Sequence, residues 1–132
     1  MTYQEDLEQP SVAIVGASRD RRKYGNKSVR AHLAAGYEVF PVNPHAAEIE
    51  GLHCYASLLD IPVEAITRVS VYLPPDIGLT LLEAIEATHP TEVFFNPGSS
   101  SPEIRRSARR IGLKVMEKCS IVALGLSPAD FP

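Results

Sequence analysis

The residues from Ser11 to Pro44 constrain the fold of this chain more than any others. Ser11-Val12-Ala13-Ile14-Val15 is an apolar run that ends in the turn Gly16-Ala17-Ser18. A basic stretch follows (Arg19, Arg21, Arg22, Lys23), then Tyr24-Gly25-Asn26-Lys27-Ser28 and a helical pattern. A second apolar run closes on Pro41-Val42-Asn43-Pro44. Strand, glycine turn, helix and second strand make the start of a βαβ unit of the nucleotide-binding kind. In NAD-binding domains the second strand ends on an acidic residue, about 20 residues past the glycine loop, that hydrogen-bonds the ribose. Here Val42-Asn43-Pro44 stand at that place, with no carboxylate.

The remaining chain repeats the pattern. A helix is expected over 26–35, with Val29, Leu33 and Ala34 inward and Gly36 as its stop. The second strand covers 37–42, and Pro41 predicts that its pairing fades at the C-terminal end. Residues 51–55 read as a short edge strand, and Ser57-Leu58-Leu59-Asp60 as a brief helical turn. A strand over 68–73 leaves through Pro74-Pro75, and a single helix is expected over 76–88 with Ile77, Leu81, Leu82 and Ile85 as its apolar stripe. A strand over 92–96 stops at Pro97-Gly98. Ser101 caps a helix with Pro102 at its first position, Gly112 ends it, and residues 113–116 form the last strand.

Alternating strands and helices predict an α/β fold: a Rossmann-like, doubly wound parallel sheet of order 3-2-1-4-5-6 in a single domain. Residues 1–10 are a polar N-terminal extension, and residues 11–132 the domain. A chain of 132 residues buries roughly two-thirds of its unfolded surface and needs no disulfide or metal staple. Its net charge of −3 argues against broad nucleic-acid binding. No apolar run reaches the ~18 residues of a membrane span, and a cytoplasmic location is the default expectation. Cys54 and Cys119 lie far apart, with no signal peptide to suggest a disulfide framework.

Such sheets bind ligands at the C-terminal ends of their strands. Those ends carry Gly16-Ala17-Ser18, Val42-Asn43-Pro44, Leu73-Pro74-Pro75, Asn96-Pro97-Gly98 and Glu117-Lys118-Cys119. They are small, rigid or backbone-exposing and offer few acids or bases, which suits holding an extended ligand better than chemistry. No catalytic residue is assigned. The turn at Gly16, with Gly25 and the neighbouring Arg19 and Lys23, is read as a phosphate contact through backbone N–H groups of the turn and the helix start, against the alternative of a plain strand–helix turn. His45, His53, His32 and His89 show no metal spacing and are read as surface residues. Arg105, Arg106, Arg109 and Arg110 read as a solvated helix face. Cys119 is either a thiol at the ligand rim, open to disulfide exchange with a thiol ligand, or an inert packing residue.

With these residues in order, the chain resembles the small CoA-binding protein family, which is similar to the N-terminal CoA-binding domain of the succinyl-CoA synthetase α subunit. The motifs are Val15-Gly16-Ala17-Ser18, Lys23-Tyr24-Gly25, Gly36-Tyr37-Glu38-Val39 leading to Pro41-Val42-Asn43-Pro44, Gly51, Tyr55-Ala56-Ser57-Leu58 with Ile61-Pro62, and Cys119. The resemblance implies CoA or acyl-CoA as ligand. Gly16, Ala17, Ser18, Arg19, Lys23, Tyr24 and Gly25 would face the phosphates. Val42, Asn43 and Pro44 would border the adenosine, Tyr72, Leu73 and Pro74 would line the cleft, and Asn96, Pro97 and Gly98 would lie near the pantetheine. Two positions depart from relatives: His45 where a lysine is common, and Asn96-Pro97 before Gly98 where glutamine is common. The expected function is non-catalytic CoA binding, since the chain has no room for the phosphohistidine domain or second subunit of the synthetases. An NAD(P)-dependent enzyme or redox sensor and a structural protein without ligand remain the alternatives.

Overall fold

The computed structural model describes residues 9–132. The expectation of a leading helix or frayed end falls largely on residues 1–8, outside the described residues. Five parallel strands form the sheet: β1 (Ser11–Val15), β2 (Glu38–Val42), β5 (Arg68–Val71), β6 (Glu92–Phe95) and β7 (Val115–Met116), in the order β2-β1-β5-β6-β7. Between β2 and β5 a small antiparallel hairpin, β3 (Glu48–Ile49) and β4 (Leu52–His53), stands apart from the sheet. The expected third strand shrinks to one residue, Tyr55, which bridges Val42 in parallel. Its N–H donates to the Pro41 carbonyl (2.9 Å) and its carbonyl accepts from Asn43 N–H (2.9 Å). The doubly wound order is thus kept with its outermost strand reduced to a bridge. Pairing does not fade at Pro41, because the ring faces the outer edge, where only its carbonyl is used.

Helix α1 (Tyr24–Ala34) lies on one face, and α2 (Pro75–Leu79), α3 (Leu82–Ala87) and α4 (Pro102–Arg110) lie on the other. Side chains alternate along the strands, so Ala13, Val15, Val69, Val71, Val93 and Phe95 pack under α3 and α4, while Val12, Ile14 and Val39 meet α1. Every strand residue of β1 and β5 is buried, as sheets covered on both faces require. Among the described residues no helix is long and apolar enough to cross a membrane.

Three expectations need correction. The helix expected over 76–88 is two helices, broken at Thr80-Leu81. The Thr80 hydroxyl donates to the Ile77 carbonyl at 2.6 Å, competing with the helical ladder. Leu82 and Ile85 stay buried, while Ile77 turns outward at 46 % exposure. In α1, Leu33 and Ala34 face solvent, and Val29 and His32 face the sheet. Gly25 must face Gly16, and positions one and two turns on follow it inward. His32 is therefore fully buried, not a surface residue.

That histidine belongs to a polar seam beneath α1, fed by the residues of β5 that alternate with Val69 and Val71. Arg68 donates to His32 Nε2 (3.2 Å) and pairs with Glu92 (2.7 Å), its guanidinium lying over the Phe94 ring. Arginine can only donate, so Nε2 accepts and Nδ1 carries the proton, which it gives to the Ser28 carbonyl at 2.8 Å. Burial, and secondarily the Arg68 charge, pull the His32 pKa down to about 4, against the pull of its bond to Ser28. Further along, Ser70, Ser120 and the Tyr72 hydroxyl meet at 2.7 and 3.0 Å.

Candidate ligand cleft

Gly16 ends β1 at φ +91°, a conformation that favours glycine, and a Cβ on it would lie 2.7 Å from the Tyr72 carbonyl oxygen. A Cβ on Gly25 would collide with the Gly16 carbonyl. The two glycines let α1 start directly against the end of β1. They act as a fingerprint pair although eight residues separate them in sequence instead of the usual few.

Of the amides expected to meet phosphate, those of Gly16 and Ala17 in the turn are already engaged. The Gly16 and Ala17 N–H groups both point at the Val42 carbonyl, at 3.1 and 3.3 Å. At the helix start, among the described residues, no acceptor meets the N–H of Tyr24 or Gly25. Lys23 occupies the N-cap without a side-chain cap, and the first turn of α1 holds no acidic residue. A cation at a helix N-terminus opposes the macrodipole by about 0.3–1 kcal/mol. An anion seated there would reverse that balance.

Of the loop cations, two are engaged. Arg22 grips Asp20 through Nε and Nη2 at 3.1 and 3.0 Å, which holds the Asp20 pKa down to about 2. Arg21 pairs with Glu50 at 3.4 Å. Arg19 and Lys23 have no carboxylate partner among the described residues.

A cleft of about 920 Å³ opens over these strand ends. Of the residues expected at the site, its wall includes Gly16, Ala17, Ser18, Lys23, Tyr24, Gly25, Val42, Asn43, Pro44, Tyr72, Leu73, Pro74, Pro97 and Gly98. Arg19, Asn96 and Cys119 are not part of the wall. Asn96 is 2 % exposed. Its Nδ2 donates to the Ser70 hydroxyl (2.9 Å) and Val71 carbonyl (2.8 Å), and its Oδ1 accepts from Ser120 N–H (2.8 Å). It ties the segment after β7 to the sheet below the cleft. Cys119, half-buried, sits on that segment. Arg19 is exposed on the loop.

The wall also contains residues that the strand ends did not suggest. Ala56, Ser57 and Leu58 come from the segment after the Tyr55 bridge, and Ile77, Leu81 and Ala84 from the broken helix. Ile77 stands on α2 and Leu81 at the break itself, and Thr80, whose hydroxyl competes with the helical ladder, was the sequence signal for that break. His45 stands beside Pro44, so the departure noted in the sequence does lie on the wall.

Asn43 occupies the place of the ribose-binding carboxylate, and both ends of its side chain are engaged. Nδ2 donates to the Ala17 carbonyl at 2.8 Å, and Oδ1 accepts from His45 N–H at 2.7 Å. It braces the loops and brings no carboxylate to the place where NAD-binding domains hold the ribose diol. Burial raises the Tyr72 pKa, so its phenol stays neutral at physiological pH and remains bonded to Ser120. The titratable side chains of the wall are Lys23, Tyr24, His45 and Tyr72, with no carboxylate among them. No group of three or more His, Cys, Asp or Glu is placed to hold a metal among the described residues. The wall suits an anionic ligand with an apolar portion.

Known proteins agree with this geometry. The chain is 42 % identical over 78 residues to an ADP-forming acetate–CoA ligase II of Archaeoglobus fulgidus, a match covering 54 % of this chain and 12 % of the ligase. The chain thus spans a small part of that relative's length. Among solved structures, a conserved hypothetical protein from Pyrococcus furiosus superposes with a TM-score of 0.79 at 38 % identity, over 86 % of this chain and 98 % of the other. A dinucleotide-forming acetyl-coenzyme A synthetase 1 of Ca. Korarchaeum cryptofilum superposes with a TM-score of 0.72 at 28 % identity, over 86 % of this chain and 27 % of the synthetase. The sequence profile of the CoA binding domain matches residues 10–125, nearly all of the described fold, and the chain belongs to that family.

Proposed function

We propose that this chain binds CoA or an acyl-CoA in the cleft over its strand ends and holds it without transforming it. The observation that carries the reading is the head of α1. There an uncapped helix start, two open amides and Lys23 face a wall that has no carboxylate. The diphosphate belongs at that positive end. Val42, Asn43 and Pro44 border the adenosine, with His45 beside it in the place where relatives often carry lysine. Leu73, Pro74, Pro97 and Gly98 guide the pantetheine. Asn43 argues against NAD, because NAD-binding domains hold the ribose with a carboxylate at this place and Asn43 is a neutral amide spent on bracing the loops. The wall holds no paired nucleophile and base, which favours retention of the ligand over chemistry on it.

The test is direct. The purified protein is denatured and the released small molecules are identified by mass spectrometry, while the ligand-free protein is titrated calorimetrically with CoA and with NAD. CoA is expected in the first measurement and as the tighter ligand in the second. Tighter binding of NAD, or release of a nicotinamide nucleotide, would sink the CoA reading.

A further inference from the structure

We propose that Glu50 is a positioning residue for loop 18–23, which leads into the head of α1, acting through the buried amide of Asn26; the inference rests on reading the head of α1, with Lys23, as the phosphate contact. Glu50 and Gly51 are the two residues of the turn joining β3 to β4, across which Ile49 and Leu52 pair. Glu50 has φ +51° and Gly51 φ +78°. Such two-residue turns favour Asn, Asp or Gly at the first position, because other side chains are strained there. Backbone strain of this kind persists where something else holds the residue. Here the holder is the carboxylate, whose Oε2 accepts from Asn26 Nδ2 at 3.0 Å and lies 3.4 Å from Arg21 Nε.

Asn26 has no exposed surface. Its Nδ2 also donates to the Ser18 carbonyl at 2.8 Å, and its Oδ1 accepts from Arg30 Nε at 2.7 Å. Arg30 in turn donates to the Arg21 carbonyl at 2.8 Å and to the Phe131 and Pro132 carbonyls, both at 3.1 Å. The loop is therefore held at Ser18 by Asn26, and at Arg21 by Arg30 through the backbone and by Glu50 through the side chain. Glu50 joins a hairpin outside the main sheet to the loop that carries Lys23. It does not line the cleft, so any effect on a ligand passes through these contacts.

Charge and positioning predict opposite signs. Removing a carboxylate near an anion site tightens anion binding if charge alone matters; loss of a positioning residue weakens it. Glu50→Gly and Glu50→Gln are compared with the wild-type chain by CoA titration, thermal melting, and amide hydrogen exchange of residues 18–23 without ligand. Glu50→Gly relieves the backbone strain, so its melting temperature is expected to hold or rise. Its CoA affinity is expected to fall about fivefold, the effect of one supporting hydrogen bond, with faster exchange in the loop. Glu50→Gln keeps an oxygen for Asn26 and is expected to recover most of the affinity. The inference is overturned if Glu50→Gly binds CoA as tightly as wild type or tighter, or loses affinity only together with melting temperature. Should the wild-type chain take up no CoA, the functional reading fails, and the ligand-free exchange decides: faster exchange in Glu50→Gly upholds the positioning role, and unchanged exchange overturns it.

Discussion

Single side chains at the head of α1 bear most of the expected ligand affinity. Lys23→Ala removes the cation at the helix start and should weaken CoA binding roughly tenfold or more, the scale of one charge-assisted hydrogen bond. Titration calorimetry reads this, and the melting temperature should hold or rise slightly, because Lys23 is exposed, forms no ion pair among the described residues and opposes the α1 dipole. His32 makes a prediction of a different kind. Its pKa is about 4 in the folded protein against an ordinary 6.5. As pH falls through 6.5 the unfolded chain takes up a proton that the folded chain refuses, so stability is lost down to about pH 4 and levels off below. At 1.36 kcal/mol per unit the loss totals roughly 3 kcal/mol. Urea unfolding at pH 7 and pH 4.5 should show it, and the difference should shrink in His32→Gln. Equal pH slopes in the two proteins would show that His32 is not the source. None of this was visible in the sequence, where His32 is one of four unremarkable histidines. Its burial depends on which side of α1 Gly25 presses against Gly16, and its neutrality follows chiefly from that burial, with a smaller push from the charge of Arg68, which lies 36 residues away.

At the scale of elements, the break between α2 and α3 shapes the cleft. Gly78 lets α2 sit low on the sheet. A Cβ there would stand 3.4 Å from the Phe95 ring and 3.7 Å from Ile104, ordinary contact distances. Gly78→Ala should therefore gain the helix-propensity difference of about 0.5–1 kcal/mol. Gly78→Leu has no space against those neighbours and should cost about 1–3 kcal/mol by overpacking. Denaturant midpoints of the two variants test the pair, and a stabilised leucine variant would contradict the packing described. The elements themselves were largely legible. The helix from Pro102, capped by the Ser101 hydroxyl on Ile104 N–H at 3.1 Å, and its stop at Gly112 (φ +83°) lie where the local signals put them. The third strand and the single helix over 76–88 were misread for a shared reason. Apolar spacing reports which faces can be buried, and is silent on whether a hydrogen-bond ladder continues through Thr80 or past Tyr55.

For the whole molecule, the family and the cleft together predict a ligand-coupled stability. Binding to the folded state alone stabilises by RT ln(1 + [L]/Kd), about 2.7 kcal/mol at a hundredfold excess of CoA over Kd. Thermal melts with CoA should shift upward accordingly, and melts with NAD at the same concentration should not. The overall frame and most of the cleft wall were determined by the sequence alone, because a parallel sheet covered on both faces requires continuous apolar strands, and its strand ends must converge on one rim. What only the tertiary structure decided is the employment of the polar groups. Gly16 and Ala17 N–H groups turn to Val42, Asn96 ties Ser70 and Ser120 together instead of lining the cleft, and Glu50 reaches Asn26 from another hairpin. Apolar burial follows a local period that can be read residue by residue. A hydrogen bond needs a partner at one distance and angle, and here the partners come from segments that meet only when the chain is folded.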